Sequence, residues 1–73
     1  MPFQYPVCKP IEVCRALKKA GFREVKQRGS HLKMTDGSYI VIIPMHCQDL
    51  KVGTLKGILE QAGMSIDDFM EYL

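Results

Sequence analysis

Cysteine is sparse in this chain and odd in number: Cys8, Cys14 and Cys47 are the three present, and no two stand at C-x-x-C spacing. That argues against both a disulfide scaffold and a zinc site, and a reducing cytosol fits best. The chain also lacks any run approaching the roughly 18 consecutive apolar residues that a membrane helix needs. Its start, MPFQYPVCKP, holds three prolines and no cationic opening, so it does not read as a signal peptide. There is no P-loop, no Rossmann glycine pattern, no nucleophile elbow, no H-E-x-x-H, no internal repeat and no low-complexity segment. The common nucleotide-binding, hydrolase and zinc-peptidase chemistries therefore have no anchor.

What remains is 73 residues, 47% apolar and 25% charged. This suits one small domain with a modest core. The net charge of +2 conceals a division. Residues 1–34 hold eight Lys/Arg against two acids, a balance of +6, and residues 35–73 hold two Lys against six acids, a balance of −4. The basic half contains His31 and would draw a polyanion such as RNA. A solvated mixed surface would give the same split.

Residues 1–9 read as an extended arm, because Pro2, Pro6 and Pro10 discourage helix and central strand alike. Residues 10–73 read as a single domain. Pro10 suits a first helical turn. In IEVCRALKKAG, Ile11, Val13, Cys14, Ala16, Leu17 and Ala20 form one broad apolar stripe. Gly21 is a natural helix terminator. FREVKQR reads as a half-exposed strand broken by Gly29, SHLKMT as a second strand, and SYIVIIP as a third, closed by Pro44.

Asp36-Gly37 predicts a two-residue type I′ hairpin turn. Thr35 would then pair with Ser38, Leu32 with Val41 and His31 with Ile42. Alternation places Leu32, Met34, Tyr39, Val41 and Ile43 on the core face. His31, Lys33, Thr35, Ile40 and Ile42 take the open face. PMHCQDLKV reads as a loop. In GTLKGILEQAG, Leu55, Ile58, Leu59 and Ala62 mark an amphipathic helix ended by Gly63. A last short helix is capped by Ser65, with Ile66, Phe69, Met70 and Leu73 as its buried edge. Helix, three antiparallel strands, helix and short helix make an α+β sandwich with the helices on one face.

The stretch QRGSHLKM (27–34) places an imidazole just past a glycine bend and between cations. Histidine titrates near neutrality, and positioned acid–base work contributes on the order of 10²–10⁴ in rate. RNA cleavage suits such a group, since the 2′-hydroxyl is an internal nucleophile. The enzyme has only to move protons and steady the charged phosphorane. Lys26, Arg28 and Lys33 are candidate phosphate clamps. The Gly29–Ser30 bend offers backbone N–H groups to an anion. From the residues alone His31 reads first as an ordinary exposed strand residue. His46 could be a second acid–base group or a loop hydrogen-bonder. A metal site of His31, His46 and Cys47 lacks ligand spacing. Cys47 as a nucleophile lacks a third orienting group, and Ser30 beside His31 points to the opposite face.

Taken together, GFREVKQRGSH (21–31) and IIPMHCQDLKVGTLKGILEQAGMSIDDFMEYL (42–73), with the preceding KPIEVCRALKKAGF, resemble the HicA toxins, also called YcfA-like mRNA interferases. The resemblance covers about residues 9–73. It implies a double-stranded-RNA-binding-domain-like α-β-β-β-α fold. It also implies a metal-independent endoribonuclease toxin of a type II toxin–antitoxin pair, acting on mRNA in the cytoplasm and held off by a HicB-type antitoxin. No cofactor and no membrane are implied. The family's catalytic histidine falls on His31. Gly29 and Ser30 match its motif, and His46 matches its second common histidine. Two positions depart from the pattern: Met34 stands where an aromatic is frequent, and Ile42 where a polar residue is frequent. The alternative is a non-catalytic RNA-binding module of the same fold, which needs no histidine.

Overall fold

In the computed structural model, which describes residues 5–73, the element order is α1 (Pro10–Lys19), β1 (Arg23–Arg28), β2 (His31–Thr35), β3 (Ile40–Pro44), α2 (Val52–Ala62) and α3 (Ile66–Tyr72). The strands form one antiparallel sheet in the order β1-β2-β3. This is the expected α+β arrangement, with α-β-β-β-α order and the extra C-terminal helix. The core lies between the sheet and the helices. Leu32, Met34, Val41 and Ile43 reach it from the strands, Val13, Cys14 and Leu17 from α1, Leu55, Ile58 and Leu59 from α2, and Phe69 from α3.

Pro10 opens α1 at its first turn, where a missing N–H costs nothing. The Glu12 carboxylate reaches back to accept the Lys9 N–H at 2.8 Å. The buried stripe of α1 runs through Pro10, Val13, Cys14, Ala16 and Leu17. The expected place of Ile11 on that stripe is corrected: Pro10 fills the position one turn before Val13 and Cys14, and Ile11 is rotated out to solvent. Gly63 ends α2 in the left-handed conformation at φ +64°. Ser65 caps α3, its hydroxyl accepting the Asp68 N–H at 3.1 Å. Of the expected buried edge of α3, Phe69 is fully buried and Ile66 half-buried, whereas Met70 and Leu73 are exposed. A helix of seven residues turns too little surface toward α1 and α2 to cover all four.

The main correction concerns the β2–β3 register. Thr35 pairs with Ile40, Leu32 with Ile43 and His31 with Pro44, a shift of two residues from the expectation. The connection is a four-residue loop, Asp36–Tyr39, and not a two-residue turn. Its polar side chains open it: Asp36 Oδ1 accepts the N–H groups of Ser38 and Tyr39 at 2.8 and 2.7 Å. The Thr35 hydroxyl donates to the Tyr39 carbonyl at 2.7 Å and accepts the Gly37 N–H at 3.0 Å. An even shift keeps every strand residue on its face, so the assignment of His31 and Lys33 to the open face stands. Tyr39 is the exception. It lies in the loop and is half exposed instead of entering the core.

Residues 5–9 have no helix or strand, but Cys8 is buried and makes an isolated antiparallel bridge to Leu50, with its carbonyl accepting the Leu50 N–H at 2.8 Å. The rest of the expected arm, residues 1–4, lies outside the described residues.

Candidate active site

The β1–β2 connection sets up the site. Arg28 pairs with His31, so Gly29 and Ser30 form a two-residue turn. Gly29 has φ +59°, and no non-glycine among the described residues has positive φ. Positive φ at the first turn position alone is the type II′ pattern, whose twist matches that of the flanking strands. That turn fixes which cations share a face with His31. Arg28 stands opposite His31, and two residues back along β1, Lys26 stands opposite Lys33. Paired residues point the same way from a sheet. Lys26, Arg28, His31 and Lys33 are therefore brought together, and with Ile42 they line a shallow depression of about 300 Å³ on the uncovered sheet face.

Further along β1 the pairing slips between Glu24 and Lys26, leaving Val25 as a bulge. Regular pairing would set Val25 opposite Met34 on the core face. With the bulge, Val25 is exposed and Glu24 takes that position. Glu24 then meets Lys18 of α1 in an ion pair at 2.6 Å.

His46 arrives from the other side. The β2–β3 ladder continues past the strand ends, with the Ser30 carbonyl accepting the Met45 N–H at 2.6 Å. Because His31 pairs with Pro44, His46 is its diagonal neighbour across the ladder. The two rings lie with centroids 6.1 Å apart, tilted by 56°. In the register expected from the Asp-Gly turn, His46 would sit one further step away, so this proximity was not readable in advance. The signal that could have found it is the Pro-x-His run at the end of β3, taken with a four-residue hairpin loop. Cys47 Sγ lies 3.7 Å from His46 Nε2. Gly29 and Ser30 shape the turn but do not line the depression.

The site is open. His31, Lys26, Arg28 and His46 are exposed and Lys33 is half-buried. Ile40 and Ile42, at 54% and 40% exposure, continue the same face as an apolar strip. Among the described residues no three His, Cys, Asp or Glu side chains converge as metal ligands would. Cys8 and Cys14 are remote in character as well as burial. Desolvation is the main cause that pushes both thiols above their ordinary value, helped by Glu12 for Cys8 and by Glu24 for Cys14. A thiol held neutral is a poor nucleophile.

Comparison with known families bears on this geometry. The model described as HicA toxin of bacterial toxin–antitoxin matches residues 11–64. The chain belongs to the HicA toxin family. The match spans the whole of the sheet, the Gly29–Ser30 turn, both histidines and α2, so every element that builds this HicA site is inside it. It is shorter at both ends than the resemblance over 9–73, leaving out the arm and α3. A search among curated proteins returned no match.

Proposed function

We propose that this HicA-family chain is a metal-independent endoribonuclease that cleaves mRNA in the cytoplasm and is neutralised by a HicB-type antitoxin. The observation that supports it best is the pairing of two imidazoles, 6.1 Å apart, at the edge of a depression lined by three cations. RNA carries its own nucleophile. His31, as general base, takes the proton of the ribose 2′-hydroxyl, and the 2′-oxygen attacks the adjacent phosphorus. The P–O5′ bond breaks, and the departing 5′-oxygen receives a proton from the second imidazole, His46. The products are a 2′,3′-cyclic phosphate and a 5′-hydroxyl. Arg28, Lys33 and Lys26 hold the phosphate and offset the charge that builds on its oxygens. The exposed Ile40–Ile42 strip beside these cations is the surface for the antitoxin, which would bury apolar area and cover the histidines together.

The test is His31→Ala beside the wild type, with labelled single-stranded RNA and with growth after induction in cells. The expected result is cleavage reduced by at least about 10², loss of growth arrest, an unchanged circular dichroism spectrum and RNA affinity kept within a few-fold. Wild-type cleavage should survive EDTA and leave cyclic phosphate ends. A His31→Ala protein that still cleaves removes the catalytic assignment. A wild type that binds RNA without cutting it leaves the non-catalytic RNA-binding module as the answer.

A further inference from the structure

A second concavity borders the loop that carries His46. It measures about 540 Å³, and Lys9, Ile11, Met45, Cys47, Gln48 and Asp49 are among the residues that line it. Met45 and Cys47 flank His46 in sequence and face this groove. The groove and the paired imidazoles therefore share the segment from Met45 to Cys47. Its composition differs from that of the depression around His31. Ile11 and Met45 give it an apolar wall. Ile11 is 48% exposed there, at the helix position where the sequence pattern expects it to be buried. Gln48 and Asp49 are exposed at its rim, and neither side chain takes a hydrogen bond from the described residues. An apolar wall with a few unpartnered polar groups is how proteins hold a flat heteroaromatic ring. Lys9 supplies a cation at the same rim for the phosphate on that ring's nucleotide.

We infer that this groove is a nucleobase subsite for the nucleotide next to the scissile phosphate, and that Asp49 selects guanine there. The inference rests on the RNA reading above. Guanine presents N1–H and N2–H₂ side by side, two donors that match the two oxygens of one carboxylate. The Gln48 amide can donate to guanine O6. Cytosine and adenine offer an amino group next to an acceptor, and the acceptor would face a carboxylate oxygen. Uracil offers one N–H between two carbonyls. A carboxylate therefore discriminates by the pattern of donors, as it does wherever base edges are read directly.

The experiment uses full-length His31→Ala protein, which holds RNA uncut, and four short single-stranded RNAs that differ in one base. Fluorescence anisotropy at low salt gives the affinities, with and without Asp49→Asn. A carboxylate near RNA repels phosphates whatever the base, so removing it can raise all four affinities. The ratio between bases is the readout, since it is free of that effect. The expected result is a guanine preference on the order of tenfold, abolished by Asp49→Asn while the melting temperature is unchanged. Asp49→Glu, which keeps the carboxylate, should restore part of it. RNA binding with no base preference, or with one that Asp49→Asn leaves intact, overturns the subsite and leaves the RNA reading standing. No RNA binding at all overturns both.

Discussion

Asp36 holds the β2–β3 loop on one carboxylate oxygen. Its two backbone hydrogen bonds, from Tyr39 first and then Ser38, keep the carboxyl below its ordinary value of 3.8. The folded-state pKa is depressed, so the linked stabilisation is fully present above the ordinary carboxylate range. It drains away as the pH falls through that range toward the folded value. Replacing Asp36 with alanine should lower the melting temperature at pH 7. It should also flatten the loss of stability that the wild type shows below about pH 4. Thermal melts of both proteins from neutral to acid pH check this, and parallel curves for the two would show that the carboxylate carries none of the acid limb. The same loop explains His46: four residues between the strands, and not two, are what bring its ring diagonally opposite His31.

At the scale of elements, α2 and the β2–β3 loop are locked at Gly63. Its φ of +64° suits glycine, and a Cβ built there would lie 2.5 Å from the Tyr39 ring. A non-glycine residue in this conformation costs roughly 1–2 kcal/mol before any clash. For a domain of this size about 1 kcal/mol moves the melting temperature by roughly 4–8 °C. Gly63→Ala should therefore melt at least about 5 °C lower. Tyr39→Ala combined with it should recover the clash but not the backbone strain, giving a coupling in a double-mutant cycle. Additive effects would mean that the ring and Gly63 do not touch in solution. The edge strands differ in how they are finished. On β3, Gln61 of α2 reaches over so that its Oε1 accepts the Ile42 N–H at 3.2 Å. On β1 the Val25 bulge bends the free edge and directs Glu24 to Lys18. Both devices blunt an exposed edge.

Across the whole molecule, the sheet face and the helical layer differ in charge. The cations of β1 and β2 stand together on the open sheet face, whereas the helical layer is mixed, with Arg15, Lys18 and Lys19 on α1 and Lys56 on α2 beside Asp67, Asp68 and Glu71 on α3. The cluster on the sheet face attracts a polyanion. If Lys26, Arg28 and Lys33 each meet a phosphate, log affinity for single-stranded RNA falls with log salt at about 0.7 per contact. Replacing any one with alanine should shallow the slope by roughly that amount without changing which sequence is preferred. Titrations at several salt concentrations measure it, and slopes equal to the wild type's would move the phosphates elsewhere on the surface.

Much of this protein was legible as a string. Hydrophobic periodicity, Pro10, Gly21, Gly63 and the Gly29 bend set the order of elements, because those signals are local and arise from backbone sterics and side-chain spacing. The open face of His31 was legible too, since alternation along a strand survives any even error in register. What the string left undecided was distance. Whether Asp36-Gly37 closes a two-residue turn or a four-residue loop depends on competing hydrogen bonds from Thr35 and Asp36, and the turn motif alone does not rank them. Only tertiary structure set His31 against Pro44, swung His46 into reach, released Val25 from the core and turned Ile11 outward, since each of these depends on how elements distant in the chain share one small core.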